Sequence, residues 1–495
     1  MKKYDRIFAV SCILATLAFF IAVYAFSATS YIPAMEGGLP SYPQSSAILS
    51  VLRIAAPICA ALFIALAIFS FVKAKNFGGI CSTLNSKASS FSPVYLFLIC
   101  SAVILVCSLI YISQHRNTVW DHYIFRFGED MFMDFFNHIT YVRVPSEVYS
   151  ISEHACFPPL IYIFYYLLSL FIPTNATVKH DASMTSPYAI VMYVMYAAIC
   201  CIFLYLVVNK LLKRFGEKTS ILTTLAIIVS SVFITVIERG NSVLIVLILL
   251  LASLYLRESD KKSNREMALI FIAIAAGIKI YPAIFGLIYV AEKKWRESLR
   301  LIAYGILFFF VPFVFFGGID GLMTFISNQM AIHDDAYTSF TSISSSIRYI
   351  SLKIFDDPFI WETAANIIPW VFTALALLAF FLGKLMMWEK LMLLISIITF
   401  VPAWSGSYTA VFFAIPMIFM FKQTDDGFGK GLTRAYNLLC TVCFTLAFSL
   451  IIFVLPSGTV LYEIRYIAMY TVVILVLVKG FTNFIRSKSK LKDTK

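Results

Sequence analysis

Charged side chains are scarce in this 495-residue chain, at 13% of the residues, whereas a typical soluble domain has about 25%. This scarcity excludes a soluble globular enzyme, and 60% hydrophobic residues with a mean hydropathy of +0.86 indicate a membrane protein instead. The 47 Phe and 27 Tyr residues exclude a disordered chain, which is poor in aromatic side chains. The composition therefore predicts an all-α polytopic membrane protein of about 12–14 transmembrane helices.

The sequence also lacks a cysteine pattern typical of a metal site or a disulfide framework. Most of its ten Cys residues lie inside apolar runs, and Cys440 and Cys443 share an apolar helix with no His nearby. They are interpreted as small residues of the membrane core, and no metal site is assigned. Acidic residues are fewer than basic ones, 27 against 39, and the basic residues form short clusters between apolar runs. This arrangement is typical of cytoplasmic loops and excludes nucleic acid as a partner.

The apolar runs place most of the chain across the bilayer, since a helix needs about 20 residues to cross it. The first run, 7–27, is too long for a signal peptide and is interpreted as an uncleaved span. With the basic clusters inside, about fourteen passes result and both termini are cytoplasmic. The other clear runs are 50–72, 93–112, 188–208, 219–237, 299–316, 367–383, 435–455 and 465–481, and the shorter ones are 242–256, 267–278, 281–291, 391–404 and 408–421.

Two apolar segments do not fit a simple crossing. The run 157–172 is bounded by prolines and is predicted to lie in the interface or to re-enter the membrane. A full crossing of this run would place the basic stretch 210–218 outside, against the positive-inside rule. Residues 267–291 are predicted to form a hairpin of two half-spans that is broken at 279–282.

The topology predicts three regions and two long external loops. The regions are two N-terminal transmembrane helices in 1–92, a main transmembrane domain in 93–481 and a basic cytoplasmic tail in 482–495. The long external segments are 113–187 and 317–366. Long loops in a compact protein are usually functional or disordered, so chemistry is expected on the external face.

The first external loop carries a cluster of acidic residues. Glu129, Asp130 and Asp134 precede His138, and on a helix Asp130, Asp134 and His138 would share one stripe at intervals of four residues. Neighbouring Phe side chains would hold this helix in the outer interface, where partial desolvation makes a carboxylate a better base for a hydroxyl proton. The alternative is a solvated acidic loop beside an aromatic face that anchors it to the membrane.

Three cations are candidates to bind an anion. Lys279 lies in an apolar stretch next to Pro282, and an ionisable residue in such a stretch is a functional candidate by default. Arg348 follows a Ser/Thr-rich run and can contact a phosphate through two nitrogens. Arg465 begins the last span. As alternatives, Lys279 can snorkel to a headgroup, and Arg465 can anchor lipid headgroups.

The second external loop and a later turn add polar residues. His333, Asp334 and Asp335 are hard ligands of the kind that a divalent cation prefers, but a surface turn is the commoner explanation for such a triplet. A divalent cation is therefore compatible with the sequence and not indicated by it. Trp404 and Tyr408, in the turn 401–416, are interfacial anchors by default.

Taken in chain order, these segments resemble the integral membrane GT-C glycosyltransferases, and the nearest pattern is glycosyltransferase family 87. The resemblance covers roughly residues 93–420, which makes 93–481 a GT-C-like catalytic domain, and AGIKIYP followed by the basic EKKW turn is its most specific feature. Gly240-Asn241 matches a pair that family members often show. The remaining motifs are MDFFNHI, PPL with a following Tyr, ERGN, the Ser-rich loop with Arg348, and PAWSGSY.

The resemblance implies a polyprenyl-phosphate sugar donor, with mannose as one candidate sugar. The acceptor would be a hydroxyl of a lipid-linked glycan, a glycolipid or a protein at the outer face of the plasma (cytoplasmic) membrane. A single displacement would invert the anomeric centre. Because the leaving polyprenyl phosphate is already anionic, cations of the protein can stabilise it with no metal or other cofactor required.

The resemblance also implies roles for the candidate residues. Asp134 is the candidate base, with Asp130 or Glu129 next and His138 beside them. The candidates for binding the donor phosphate are Lys279, Arg348 and Arg465. The residues expected to line the substrate are Asn241, Tyr281, His333, Asp334, Trp404 and Tyr408.

Three other functions compete with this prediction. A flippase or transporter of lipid-linked sugars would show inverted repeats and carboxylates within the spans, and neither is evident. An O-antigen-type polymerase would have a site dominated by external Arg, which is sparse here. A structural membrane scaffold would leave the clustered external carboxylates without a role.

Overall fold

The computed structural model describes residues 92–114, 132–150, 155–172, 187–331, 341–402, 406–424, 427–450 and 462–492. These residues form seventeen α-helices, joined by turns and short 3₁₀ helices, with no strand among them. The all-α prediction is therefore confirmed for this part of the chain. The helices are α1 Pro93–Gln114, α2 Met133–Tyr141, α3 Pro159–Ser169, α4 Pro187–Leu211, α5 Glu217–Ile228, α6 Ser231–Arg239, α7 Val243–Leu256, α8 Lys262–Ile278, α9 Leu287–Ala291, α10 Trp295–Phe310, α11 Gly318–Ala331, α12 Ile343–Phe355, α13 Glu362–Leu382, α14 Met387–Phe400, α15 Ala414–Gln423, α16 Gly431–Ala447 and α17 Tyr462–Lys492.

Five segments of the described chain are long and apolar enough to cross a bilayer. A sixth is present if α5 and α6, which meet at a bend of 60°, count as one broken span. These helices confirm a multi-pass membrane protein. The five are Pro93–Tyr111, Ile190–Leu211, Trp295–Phe315, Glu362–Leu382 and Ile464–Ser487.

The described residues hold fewer full spans than the 12–14 predicted, because several apolar runs form helices too short to cross. Both α7 and α14 have 14 residues, and α15 has 10. A helix of 14 residues extends about 21 Å, against about 30 Å of hydrocarbon. The apolar side chains of α14 and α15 are buried against other helices, so their hydropathy reflects a protein core. The first two predicted spans, in 1–92, lie outside the described residues.

The chain divides into two compact units. The smaller comprises 1–123, 229–231 and 424–472, and the larger comprises 124–228, 232–423 and 473–495. In the smaller unit α1 packs against α16, and the Ser108 hydroxyl donates a hydrogen bond to the carbonyl of Leu450. The predicted boundary at residue 92 stays a prediction, because the residues before it lie outside the described chain.

In the larger unit α8 packs between α7 and α10. It ends at Ile278 because Lys279 adopts an extended conformation, and a 3₁₀ helix, Tyr281–Gly286, follows with Pro282 in its first turn. The predicted break at 279–282 is therefore present. Helix α3 begins at Pro159, where proline's missing N–H needs no partner. Its 11 residues extend about 16 Å, which is too short for a crossing and agrees with the prediction for 157–172.

Candidate functional site

Two polar side chains hold the carboxylate of Asp134, which lies in the first turn of α2. Arg239 Nη2 donates to Asp134 Oδ1 at 3.0 Å, and Asn241 Nδ2 donates to Oδ2 at 2.6 Å. The amide of Asn241 is oriented in turn by the backbone N–H of Val243, which donates to its Oδ1 at 3.0 Å. One donor on each carboxylate oxygen leaves a further lone pair on each, so Asp134 can still accept a proton from a substrate hydroxyl.

The ERGN turn reaches Asp134 because its backbone approaches the start of α2 closely. The N–H of Phe132 donates to the carbonyl of Glu238 at 2.6 Å. Gly240 has φ +66°, a left-handed conformation that glycine adopts readily, and a Cβ there would lie 2.9 Å from Phe135 Cβ. The turn therefore needs glycine both for its backbone angle and for its contact with α2.

Two tyrosines of α4 fix the same turn from the other side. The Tyr193 hydroxyl donates to the carbonyl of Ile237, and the Tyr196 hydroxyl donates to the carbonyl of Asn241 at 3.2 Å. Both tyrosine rings also pack against Phe135, at centroid distances of 5.2 and 5.3 Å. The residues around Asp134 thus come from α2, α4, the end of α6 and the turn that follows it.

His138 lies one turn after Asp134 on α2 and is buried among aromatic rings, with 5% of its surface exposed. Its ring lies 4.2 Å from that of Phe157 and stacks on Tyr165 at 5.4 Å. Burial lowers its pKa to about 3 against the opposing effect of Asp134, with smaller lowering effects of Lys279 and Arg239. His138 is therefore neutral at pH 7.

The structure describes two residues of the predicted stripe of Asp130, Asp134 and His138. Helix α2 begins at Met133, so Asp134 and His138 share it and Asp130 precedes it. Phe132, just before the helix, has φ 58°, a left-handed backbone conformation. Glu129 and Asp130 lie outside the described residues.

Lys279 lies close to Asp134 and His138. It is the residue that follows α8, just before the 3₁₀ helix Tyr281–Gly286. Its ammonium lies 3.0 Å from the centroid of the Phe157 ring, and the residue is 6% exposed. Burial lowers the pKa of Lys279 to about 8, while Cys156 and Asp134 oppose this effect. Within the described chain no carboxylate lies within ion-pair distance of this ammonium.

Two predicted lining residues reach the same region. Tyr408, in the 3₁₀ helix Ser407–Phe413, lies close enough to Asp134 and Asn241 to interact with both electrostatically. Tyr281 packs against Phe412 at 5.6 Å, and its buried hydroxyl has no hydrogen-bond partner among the described residues.

The other two predicted phosphate ligands are placed differently. Arg348 on α12 makes a two-pronged ion pair with Glu362, with Nε–Oε2 at 2.8 Å and Nη2–Oε1 at 2.5 Å. Among the described residues, Arg348 makes no contact with Asp134 or with Arg239 and Asn241, which hold Asp134. Arg465, in the first turn of α17, is buried beside the ring of Tyr466 and belongs to the smaller unit. Its proposed contact with a donor phosphate stays a prediction.

Several predicted residues lie outside the part of the chain that the structure describes. They are Glu129, Asp130, His333, Asp334, Asp335 and Trp404. Among the described residues there is no group of three or more His, Cys, Asp or Glu side chains that could hold a metal ion.

Sequence reasoning did not single out Arg239, and it considered Phe157 only as one of the aromatic residues of 157–166 that could line a lipid groove or stack on a sugar. Arg239 belongs to the ERGN motif, and its charge at the end of an apolar run was a usable signal that an anionic partner lies elsewhere in the chain. Phe157 is one of 47 phenylalanines, and nothing in its local sequence distinguishes it from a packing residue.

Comparison with known proteins finds a match to one stretch of the chain. The profile of glycosyltransferase family 87 matches residues 157–401, close to half of the chain, and this segment contains Asn241, Lys279 and Arg348. Asp134 precedes the matched segment and is joined to it by Arg239 and Asn241. No curated protein and no solved structure matches the chain. Residues 157–401 are therefore similar to glycosyltransferase family 87, and this match supports a multi-pass membrane glycosyltransferase.

Proposed function

We propose that this glycosyltransferase moves a sugar from a polyprenyl-phosphate donor to an acceptor hydroxyl at the outer face of the plasma membrane. The observation that carries the proposal is the Asp134 carboxylate, held by Arg239 and Asn241 and close to the buried ammonium of Lys279. Transfer of a sugar from a phosphate needs a proton acceptor for the incoming hydroxyl and a cation for the departing phosphate. These residues supply both groups from one part of the larger unit.

Asp134 is the proposed general base. One of its carboxylate oxygens accepts the acceptor's proton while the hydroxyl oxygen bonds to the anomeric carbon. The bond from that carbon to the phosphate oxygen breaks, and the electron pair leaves with polyprenyl phosphate. Attack opposite the leaving group inverts the anomeric centre. Arg239 and Asn241 position the carboxylate, and Lys279 stabilises the charge on the phosphate.

An apolar cavity beside the site supports a lipid-linked donor. It has a volume of about 660 Å³ and lies in the larger unit, against Phe132 and the membrane-spanning helix α4. Val194, one of its lining residues, is 58% exposed on the surface of α4, where a lipid-linked donor would approach from the bilayer. Its other lining residues include Phe136, Tyr193, Phe233 and Ile237. A hydrocarbon chain suits such a cavity, because an apolar wall offers no partner to a hydrated sugar.

The test is sugar transfer by the purified protein in liposomes that contain a radiolabelled polyprenyl-phosphate mannose and other polyprenyl-phosphate sugars. We expect Asp134→Asn to lower turnover by a factor of about 10²–10⁴, the usual contribution of a general base. Lys279→Met is expected to lower the rate of transfer from the donor strongly. EDTA should leave transfer by the unaltered protein intact. The sugar and the acceptor are identified from the labelled product.

Matched controls use exposed residues of the same type. Asp320→Asn on α11 and Lys218→Met on α5 change the same charges at exposed positions and should retain activity. Transfer by Asp134→Asn at the rate of Asp320→Asn would remove Asp134 from the mechanism. Movement of the intact labelled lipid across the bilayer, without transfer of its sugar, would favour a flippase.

A further inference from the structure

Four side chains form a row that ends at the Lys279 ammonium. Tyr165 stacks on His138 at 5.4 Å with 24° between the ring planes, and the His138 ring lies 4.2 Å from Phe157. The ammonium nitrogen of Lys279 lies 3.0 Å from the centroid of Phe157. Phe157 therefore contacts both a neutral imidazole and a cation.

The backbone of Phe157 is held at two neighbouring positions. The Tyr149 hydroxyl donates to the Phe157 carbonyl at 2.9 Å, and the Gln329 side-chain amide donates to the carbonyl of Cys156. Pro158 and Pro159 follow directly and limit the backbone where α3 begins. The ring is therefore fixed in place, and Lys279 contacts a rigid aromatic surface.

A buried ammonium needs compensation for the water it has lost. The titratable groups that face Lys279 are Asp134 and His138 on α2 and the Cys156 thiol, and Asp134 interacts with it only at long range. A cation over an aromatic face is stabilised by the quadrupole of the ring, more strongly when the cation is desolvated. Among the described residues, the Phe157 ring is the closest such group to the Lys279 nitrogen.

We propose that Phe157 is a positioning residue of the transferase, whose ring keeps the Lys279 side chain charged and directed at the donor phosphate, with His138 as the neutral ring behind it. This inference rests on the proposed function for its catalytic consequence. It gives His138 a packing role in place of the acid–base role that its sequence position indicates. An aliphatic residue at 157 would fill the space but would leave the ammonium without its partner.

The first measurement is the pH dependence of Lys279 acetylation by trace acetic anhydride, followed by mass spectrometry on the full-length purified protein. In the unaltered protein the midpoint is expected near pH 8, the pKa of Lys279. Phe157→Leu destabilises the charged form, so its midpoint should fall by about one pH unit, since a desolvated cation–π contact and one pKa unit are comparable free energies. Phe157→Tyr retains an aromatic face and should keep the original midpoint.

The second measurement is the pH profile of kcat/KM for a polyprenyl-phosphate sugar. Only the ammonium form of Lys279 binds phosphate, so activity is lost as the pH rises through its pKa, and Phe157→Leu should lose activity at a pH about one unit lower. Phe380→Leu is the matched control, because Phe380 is a buried ring whose cation contact is with a different lysine, Lys390, at 5.6 Å from the ring centroid. It should leave both curves unchanged. Phe157→Met replaces Phe157→Leu if the latter does not fold.

An unchanged acetylation midpoint in a folded aliphatic variant would overturn the inference. Equal shifts in Phe157→Tyr and Phe157→Leu would do the same, since the aromatic face would then be irrelevant. If the midpoint shifts but the unaltered protein transfers no sugar, the Phe157–Lys279 contact stands and the proposed function fails. The two conclusions are therefore separable.

Discussion

At the scale of single residues, Gly240 controls whether the ERGN turn reaches Asp134. Gly240→Ala would place a Cβ 2.9 Å from Phe135 Cβ and 3.2 Å from the Phe132 carbonyl oxygen, at φ +66°. The left-handed backbone alone costs an alanine about 1–2 kcal/mol, and the contacts add to this. We expect a clearly lower melting temperature in detergent and at least a tenfold loss of transfer, because Asn241 moves with the turn.

The control is a glycine with a similar backbone angle and free space around it. Gly318 has φ +60°, and a Cβ at this position would meet no atom within 4 Å, so Gly318→Ala bears the backbone cost alone. It should lose some thermal stability and keep its rate of transfer per folded molecule. Equal rates in the two variants would show that the Gly240 turn does not position the site.

At the scale of elements, the packing of α8 against α10 sets the position of Lys279. Gly277, two residues before Lys279, lies so close to α10 that a Cβ would be 2.8 Å from the Phe308 carbonyl oxygen and 2.9 Å from Leu160 Cδ2. Gly277→Ala therefore forces α8 away from α10, with a cost of about 1–3 kcal/mol. We expect a lower melting temperature and a raised KM for the donor.

Gly305, on α10 itself, is the control for Gly277, and we expect the opposite effect of alanine there. A Cβ at Gly305 meets nothing within 4 Å, and alanine is the better helix former by about 1 kcal/mol. Gly305→Ala should leave the melting temperature unchanged or slightly raised, with normal transfer. A fall in stability as large as that of Gly277→Ala would contradict the role assigned to the close helix contact.

At the scale of the whole molecule, the charge distribution predicts which side of the membrane each turn faces. Asp260 lies in the basic turn between α7 and α8, and Asp320 lies at the start of α11, both exposed. In a variant without the native cysteines, Asp320→Cys should react with an impermeant maleimide in intact cells. Asp260→Cys should react only after permeabilisation, because basic loops stay in the cytoplasm. The reverse pattern would place the site on the cytoplasmic side.

The candidate site was partly predictable, and the reason differs from residue to residue. Lys279 could be named because an ionisable residue in an apolar stretch is costly unless it has a function. Asp134 could be named from the acidic cluster in its loop, and Asn241 from the ERGN motif of the family resemblance. Arg239 could not be paired with Asp134, since 105 residues separate them. The sequence placed Asp134 and His138 one helical turn apart, but only the tertiary packing against Phe157 and Tyr165 shows that the imidazole is buried and its pKa lowered.

The sequence by itself determined the helical class, the membrane location and the break after α8, because hydropathy, proline and helix length act over a few neighbouring residues. Only the tertiary structure decided which apolar helices are core and which are long enough to span, since a buried helix and a lipid-exposed one have the same hydropathy. It also decided that Arg348 pairs with Glu362 while Lys279 lies over Phe157 near Asp134. The partners of a charge depend on helices packed from distant parts of the chain, and no local pattern records that packing.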